Sequence, residues 1–164
     1  METIFLNNFI ENYSSNDFDK IKFDWNGKHA DEFKDNNLTF RKELVEYIVP
    51  YLSSVNLELI RDLYIELSKL AKEAWGAPKH FNLLGQELIL RDYKKYIIDY
   101  LEGASKSMDT YLCSGEINIP KKLAIEIVEY INESLLLEKD ERKRKLLQSI
   151  AGIKRFQWLS QNEN

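Results

Sequence analysis

The chain has 164 residues, 44% of them apolar and 30% charged, with six glycines, three prolines and one cysteine. That length fits a single domain spanning 1–164 with a core that needs no covalent staples, and that apolar share excludes a chain disordered throughout. The net charge of −4 disfavours nucleic acid as the main ligand, because phosphate binding needs concentrated positive charge.

Few glycines and prolines mean few tight turns, which points away from a sandwich or barrel and towards long helices. The lone Cys113 excludes an intrachain disulfide and leaves little room for a thiolate zinc site. The N-terminus lacks the basic start and apolar core of a signal peptide. No apolar run approaches the roughly 20 residues of a membrane span. The expected location is cytoplasmic.

Residues 3–13 read as a short helix, with Phe5, Phe9 and Tyr13 in one i,i+4 row and Leu6 and Ile10 beside it. Ser14 to Asp17 form a turn cluster. In 18–36, Ile21, Phe23 and Trp25 alternate with Lys22 and Asp24 before Asn26-Gly27, a strand pattern and a tight turn. No second alternating run follows. The expectation is an irregular segment with docked aromatics, with a short strand as the alternative.

A second helix starts near Asn37 or Thr39, both good N-caps, and Pro50 should kink or end it. Asn56 caps a third, in which Ile60, Leu63, Tyr64, Leu67, Leu70, Ala71 and Ala74 recur at helical spacing. Gly76 and Pro78 stop it. The fourth runs from about Asn82 to Cys113, with a break possible at Gly103. The fifth follows Pro120, and Asp140 caps a sixth that Gly152 can interrupt. The fold class is therefore all-α, with about six helices in a compact bundle or a short helical-repeat array.

An internal match supports the array. Val45-Glu46-Tyr47-Ile48 recurs as Val128-Glu129-Tyr130-Ile131, and the same offset gives ten identities over the 36 pairs between 40–75 and 123–158. A duplication would make two similar helical hairpins sharing a concave face. Biased helical alphabets also align by chance, so the test is superposition, with Trp75 and Trp158 in equivalent places.

The inventory of reactive groups is thin. The only histidines are His29 and His80, and neither sits in a helical zinc or di-iron spacing. No glycine pattern cradles phosphate. No cofactor and no metal are expected. Cys113, at the end of an apolar face, reads as a structural cysteine. The loop 75–87 combines Trp75, Lys79, His80 and a helix N-terminus, the most site-like mix in the chain. Its plainer reading, a helix connection with Trp75 and Phe81 packed inward, is preferred.

Charge gives the clearest lead. Residues 1–35 hold eight acids against four lysines, a segment able to steer a basic protein partner. The expected function is a non-enzymatic protein-binding module, an immunity or antitoxin protein that occludes a basic toxin such as a nuclease. Asp17, Asp19, Asp24, Trp25, Asp31 and Glu32 are the expected contacts. No motif identifies a family; in size, charge and composition alone the chain resembles the small acidic helical inhibitors encoded beside bacterial toxins. Two other classes stay open. One is a small hydrolase or nuclease using His80 with Glu87 or Lys79. The other is an adaptor or regulator that binds nucleic acid through 142–158, where Arg142 to Lys145, Lys154 and Arg155 lie near Phe156 and Trp158.

Overall fold

A computed structural model describes residues 3–162 and shows an all-α protein. Among the described residues there are eight α-helices: α1 (Thr3–Glu11), α2 (Leu38–Ile48), α3 (Leu57–Ala74), α4 (Phe81–Ala104), α5 (Met108–Ser114), α6 (Lys121–Leu137), α7 (Glu141–Gln148) and α8 (Arg155–Gln161). None is long and apolar enough to cross a membrane. The count exceeds the expected six because two expected helices are each divided. Ser107 caps α5 by accepting from the Thr110 amide, which splits the fourth expected helix. A π-helical turn at Ile150–Lys154 splits the sixth. There a Cβ on Gly152 would lie 2.4 Å from the Leu147 carbonyl oxygen. Two stops follow the sequence closely: Asn56 accepts from the Glu58 amide, and Asp140 accepts from the amides of Arg142 and Lys143. Another does not. Trp75 (φ 57°), not Gly76, takes the left-handed conformation that ends α3.

The core is organised around Tyr64, which is fully buried on α3. Its ring stacks on Phe81 at 4.3 Å and on Tyr100 at 6.0 Å between centroids. A Cβ at Gly85 would meet one edge of that ring at 2.9 Å, and a Cβ at Gly103 the other at 2.3 Å. In a straight helix, residues 85 and 103 would lie about 27 Å apart. Both touch one ring because α4 doubles back at Asp92, whose backbone is not helical (φ −159°, ψ 68°). The Asp92 carboxylate accepts from the Lys95 amide at 3.2 Å, capping the second half. The Tyr64 hydroxyl donates to the Tyr100 carbonyl at 3.0 Å and lies 3.1 Å from Ser114 Oγ, which ties in α5. Buried side chains of α1, α2, α6, α7 and α8, among them Phe9, Leu44, Ile131, Leu147 and Phe156, belong to the same apolar cluster.

The segment before α2 corrects the short-strand alternative. Among the described residues the only strand-like pairing is the Trp25–Asp35 bridge, flanked by 3-10 turns at Ser15–Lys20 and Ala30–Glu32. The backbone of 21–26 pairs with 34–36 at only two points, Asn26 N–H to the Lys34 carbonyl (3.0 Å) and Asn36 N–H to the Asp24 carbonyl (3.1 Å), and side chains serve several of its other groups. Glu66 accepts from the Phe23 amide at 2.7 Å, and Asp35 from the Asp24 amide at 3.2 Å. Arg41 donates to the carbonyls of Ile21 (3.1 Å) and Lys22 (2.9 Å). It also forms an ion pair with Asp35 in which both side chains are wholly buried.

The two halves of the expected repeat differ in helix lengths. The 11-residue α2 opposes the 17-residue α6, because Pro50 follows the end of α2 while Glu133 continues α6. The unbroken 18 residues of α3 oppose α7, the π-helical turn and α8. Trp75 ends a helix; Trp158 lies inside one. No shared groove therefore follows from a duplication.

The glycine slot gives a direct test. Gly103→Ala should lower stability by about 1–3 kcal/mol, because the new methyl displaces a fully packed ring. Gly76→Ala, where a Cβ meets nothing within 4 Å, should stay within about 0.5 kcal/mol. Urea denaturation of the two variants checks the contrast.

Candidate acidic groove

Doubling α4 back against α3 gathers carboxylates that are far apart in sequence. On α3, Glu58, Asp62 and Glu66 follow one another at i,i+4 spacing and share a face. The second half of α4 contributes Asp99 and Glu102. Ser15 and Phe18 of the first 3-10 turn complete a groove of about 460 Å³, with Arg61, Asp62, Ile65, Glu66, Asp99 and Glu102 as its other walls. Four carboxylates thus line it with a single guanidinium.

These acids are unequally satisfied. Glu58 accepts from Lys95 (2.6 Å), Tyr96 (2.8 Å) and Arg61 (2.8 Å). Lys95 first and then Tyr96 hold its carboxyl down to about 2, against the opposing effect of partial burial. Glu66 pairs with Lys69 at 2.5 Å. Glu102 pairs with Arg142 at 2.6 Å and with Lys106 at 3.5 Å. Asp62 accepts from the Tyr13 hydroxyl at 2.7 Å. Arg61 Nε is 3.0 Å from Asp62, near enough for charge attraction, but it is out of line for a hydrogen bond. Burial raises the Asp62 carboxyl despite Tyr13 and Arg61. Asp99 has no ion-pair or hydrogen-bonding side chain among the described residues. Burial raises its carboxyl, as do Glu102, Glu58 and Asp62, and Arg61 only partly offsets them.

The six expected contacts are all exposed or half-buried, and most of them are engaged by near neighbours. Asp17 closes a capping box with Ser14 and pairs with Lys20 at 2.9 Å, which lowers its carboxyl. Asp19, exposed, pairs with Lys22 at 3.0 Å. Both stand in the 3-10 turn that supplies Ser15 and Phe18 to the groove. Asp24 accepts from the Asn36 side chain at 2.8 Å. Trp25 stacks on Phe23, meets His29 and Phe33 at a tilt, and donates to the Lys28 carbonyl at 2.8 Å. Asp31 is exposed, and Glu32 pairs with Lys28. None of the six lines the groove itself.

The other expected sites are rearranged. His80 faces Glu46 at 3.3 Å rather than Glu87, and Lys79 shares the same carboxylate at 2.8 Å. Phe81 is buried as expected, but Trp75 is 87% exposed. In the basic run, Arg142 is held by Glu102, Lys145 by Glu141 at 3.5 Å, and Arg144 donates to the Leu135 carbonyl at 2.7 Å. Phe156 is wholly buried and offers no face for stacking on a base. Burial raises the half-buried Cys113 thiol, which disfavours the thiolate a nucleophile needs. Among the described residues no three His, Cys, Asp or Glu side chains converge as metal ligands.

No family model matches the chain, and no curated protein or solved structure is significantly similar to it.

The groove was only half visible in the sequence. The Glu58, Asp62, Glu66 row can be read from its spacing, as can the Asp99, Glu102 pair. Their meeting depends on the reversal at Asp92, which no glycine or proline announces.

The raised carboxyl of Asp99 fixes the sign of a pH effect. Its folded value lies above the 3.8 of the unfolded chain, so between the two values the folded state holds more protons. Its contribution to stability is then lost as pH rises through that window. Glu58 acts oppositely, stabilising above its unfolded 4.5 and losing that support as pH falls towards about 2. Asp99→Asn should therefore be more stable than the parent at pH 7, with the gap narrowing towards pH 4. Denaturation across that range checks it; a gap independent of pH would contradict it.

Proposed function

We propose that this chain is a non-enzymatic protein-binding module that receives a basic element of a partner in the acidic groove. In its finer form the reading is an immunity or antitoxin protein that neutralises a basic toxin, such as a nuclease, by covering it. The single observation that carries it is Asp99, a half-buried carboxylate with a raised pKa and no ion-pair partner among the described residues. A lysine or arginine brought by a partner would supply the missing charge, where partial burial weakens screening and strengthens the pair.

Two further features support a protein over a small cation. The groove is open along a surface that continues into the turn bearing Asp17 and Asp19, so an extended basic element gains several contacts. That turn is also ordered before binding. Arg41 and Asp35 clamp the segment behind it to α2, which lowers the entropic cost of association. Charge of this kind speeds encounter and selects the partner more than it adds affinity.

The test is co-expression with the proteins encoded next to this chain. A basic neighbour should co-elute with it stoichiometrically and lose its own activity in the complex. Binding should weaken steeply with salt, and Asp99→Lys with Glu102→Lys should weaken it by about a hundredfold or more, as expected for a desolvated charge contact. A complex indifferent to both substitutions would contradict the reading, as would the absence of any complex with a neighbour.

A further inference from the structure

A second cleft, between α5 and the start of α8, is not acidic: Glu116 is its one acid and Arg155 its one base. Tyr100, Tyr111, Leu112, Ser114, Gly115, Glu116, Ala151 and Arg155 enclose about 220 Å³. Two of its polar side chains are already engaged. The Tyr100 hydroxyl donates to the Ser114 carbonyl at 2.9 Å, and Ser114 Oγ lies 3.1 Å from the Tyr64 hydroxyl. Arg155 is different. Its Nε is shut away from water with no hydrogen-bond partner, and among the described residues its guanidinium forms no ion pair. A buried donor left without a partner is costly and calls for an explanation.

The surroundings fix this guanidinium without using its N–H groups. Its Cζ lies 5.1 Å from the centre of the Trp158 ring, a cation–π contact that occupies none of its N–H groups with a hydrogen bond. Its Cζ and one terminal nitrogen would lie 3.6 Å from a Cβ at Gly115, which places the guanidinium beside the turn that ends α5. The π-helical turn Ile150–Lys154 directly precedes it and sets where α8 begins; such turns recur at functional sites. Leu112 and Ala151 supply apolar wall, and Leu112 remains 60% exposed.

We infer that this cleft binds a small organic carboxylate, with Arg155 holding the carboxylate and Leu112, Tyr111 and Ala151 receiving an apolar body. The two terminal nitrogens of a planar guanidinium match a carboxylate in paired hydrogen bonds, and unlike the sealed Nε they are not shut away from water. The volume is below the roughly 300 Å³ at which drug-sized pockets begin, which limits the ligand to about the size of one ring. Glu116, which also lines the cleft, is a negative charge that opposes a carboxylate ligand. The inference stands on Arg155 and is independent of the acidic groove.

Benzoate is the probe, with inorganic phosphate as the anion that lacks an apolar body. Titrated into the whole protein, benzoate should give saturable amide shifts confined to residues 111–116 and 151–155. Arg155→Gln should weaken it about ten- to a hundredfold, the range for losing a charge-assisted hydrogen bond, with the melting curve retained. Glu116→Gln should tighten it. Phosphate should bind more weakly than benzoate. No shifts at those residues would overturn the inference, as would unchanged affinity in Arg155→Gln or phosphate binding as tightly as benzoate. Should Arg155→Gln fail to fold, Glu116→Gln decides: tighter binding supports the site, and unchanged or weaker binding overturns it.

Discussion

Tyr64 in its glycine slot is the contact on which the rest of this molecule depends. A buried tyrosine needs both close packing for its ring and a partner for its hydroxyl. Here the ring is held by Phe81 from the first half of α4 and by Tyr100 from the second. The hydroxyl reaches Tyr100 and Ser114, which joins α3, both arms of α4 and α5 at one point. Because Gly85 and Gly103 carry no side chain, both arms approach the ring more closely than any larger residue would allow. The reversal at Asp92 then decides what faces what. It places Asp99 and Glu102 against Arg61, Asp62 and Glu66, and it places Tyr100 at the cleft that Arg155 enters. One packing arrangement thus generates an acidic groove and a cleft with a free cation.

A second constraint fixes the N-terminal segment. The Arg41–Asp35 pair is wholly buried, and a buried ion pair on its own is weak evidence of stability, since desolvation opposes the attraction. Its value here lies in the backbone groups it satisfies. Arg41 serves the carbonyls of Ile21 and Lys22, while Asp35 accepts from the amides of Asp24 and Asn37. The backbone pairing of this segment with 34–36 is limited to the single Trp25–Asp35 bridge, and the Arg41–Asp35 pair serves groups on either side of it.

Much of the fold was legible residue by residue. The apolar spacing of α3, the caps at Asn56 and Asp140, and the end of α2 just before Pro50 each follow from local chemistry. The reversal at Asp92 was not legible, because Arg91-Asp92-Tyr93-Lys94-Lys95 reads as ordinary exposed helix and tertiary packing overrides it. The same holds at Trp75, where a left-handed tryptophan takes the place expected of Gly76. The acidic lead was partly legible. The sequence shows the surplus of acids before residue 36, but not that Asp17, Asp19 and Glu32 are each matched by a lysine three or four residues away. Asp99, the half-buried carboxylate that the reading turns on, lies in a helix whose local charge is unremarkable, and only the reversal of α4 brings it beside Asp62 and Glu58.

The central claim is that α4 is doubled back around Tyr64, since both sites exist only in that arrangement. Nuclear Overhauser contacts from the Tyr64 ring test it most directly. The ring protons should show strong contacts to the α-protons of both Gly85 and Gly103, one on each edge. Contacts to only one of these glycines would mean that α4 runs on without reversing, and the groove and the Arg155 cleft would be lost together.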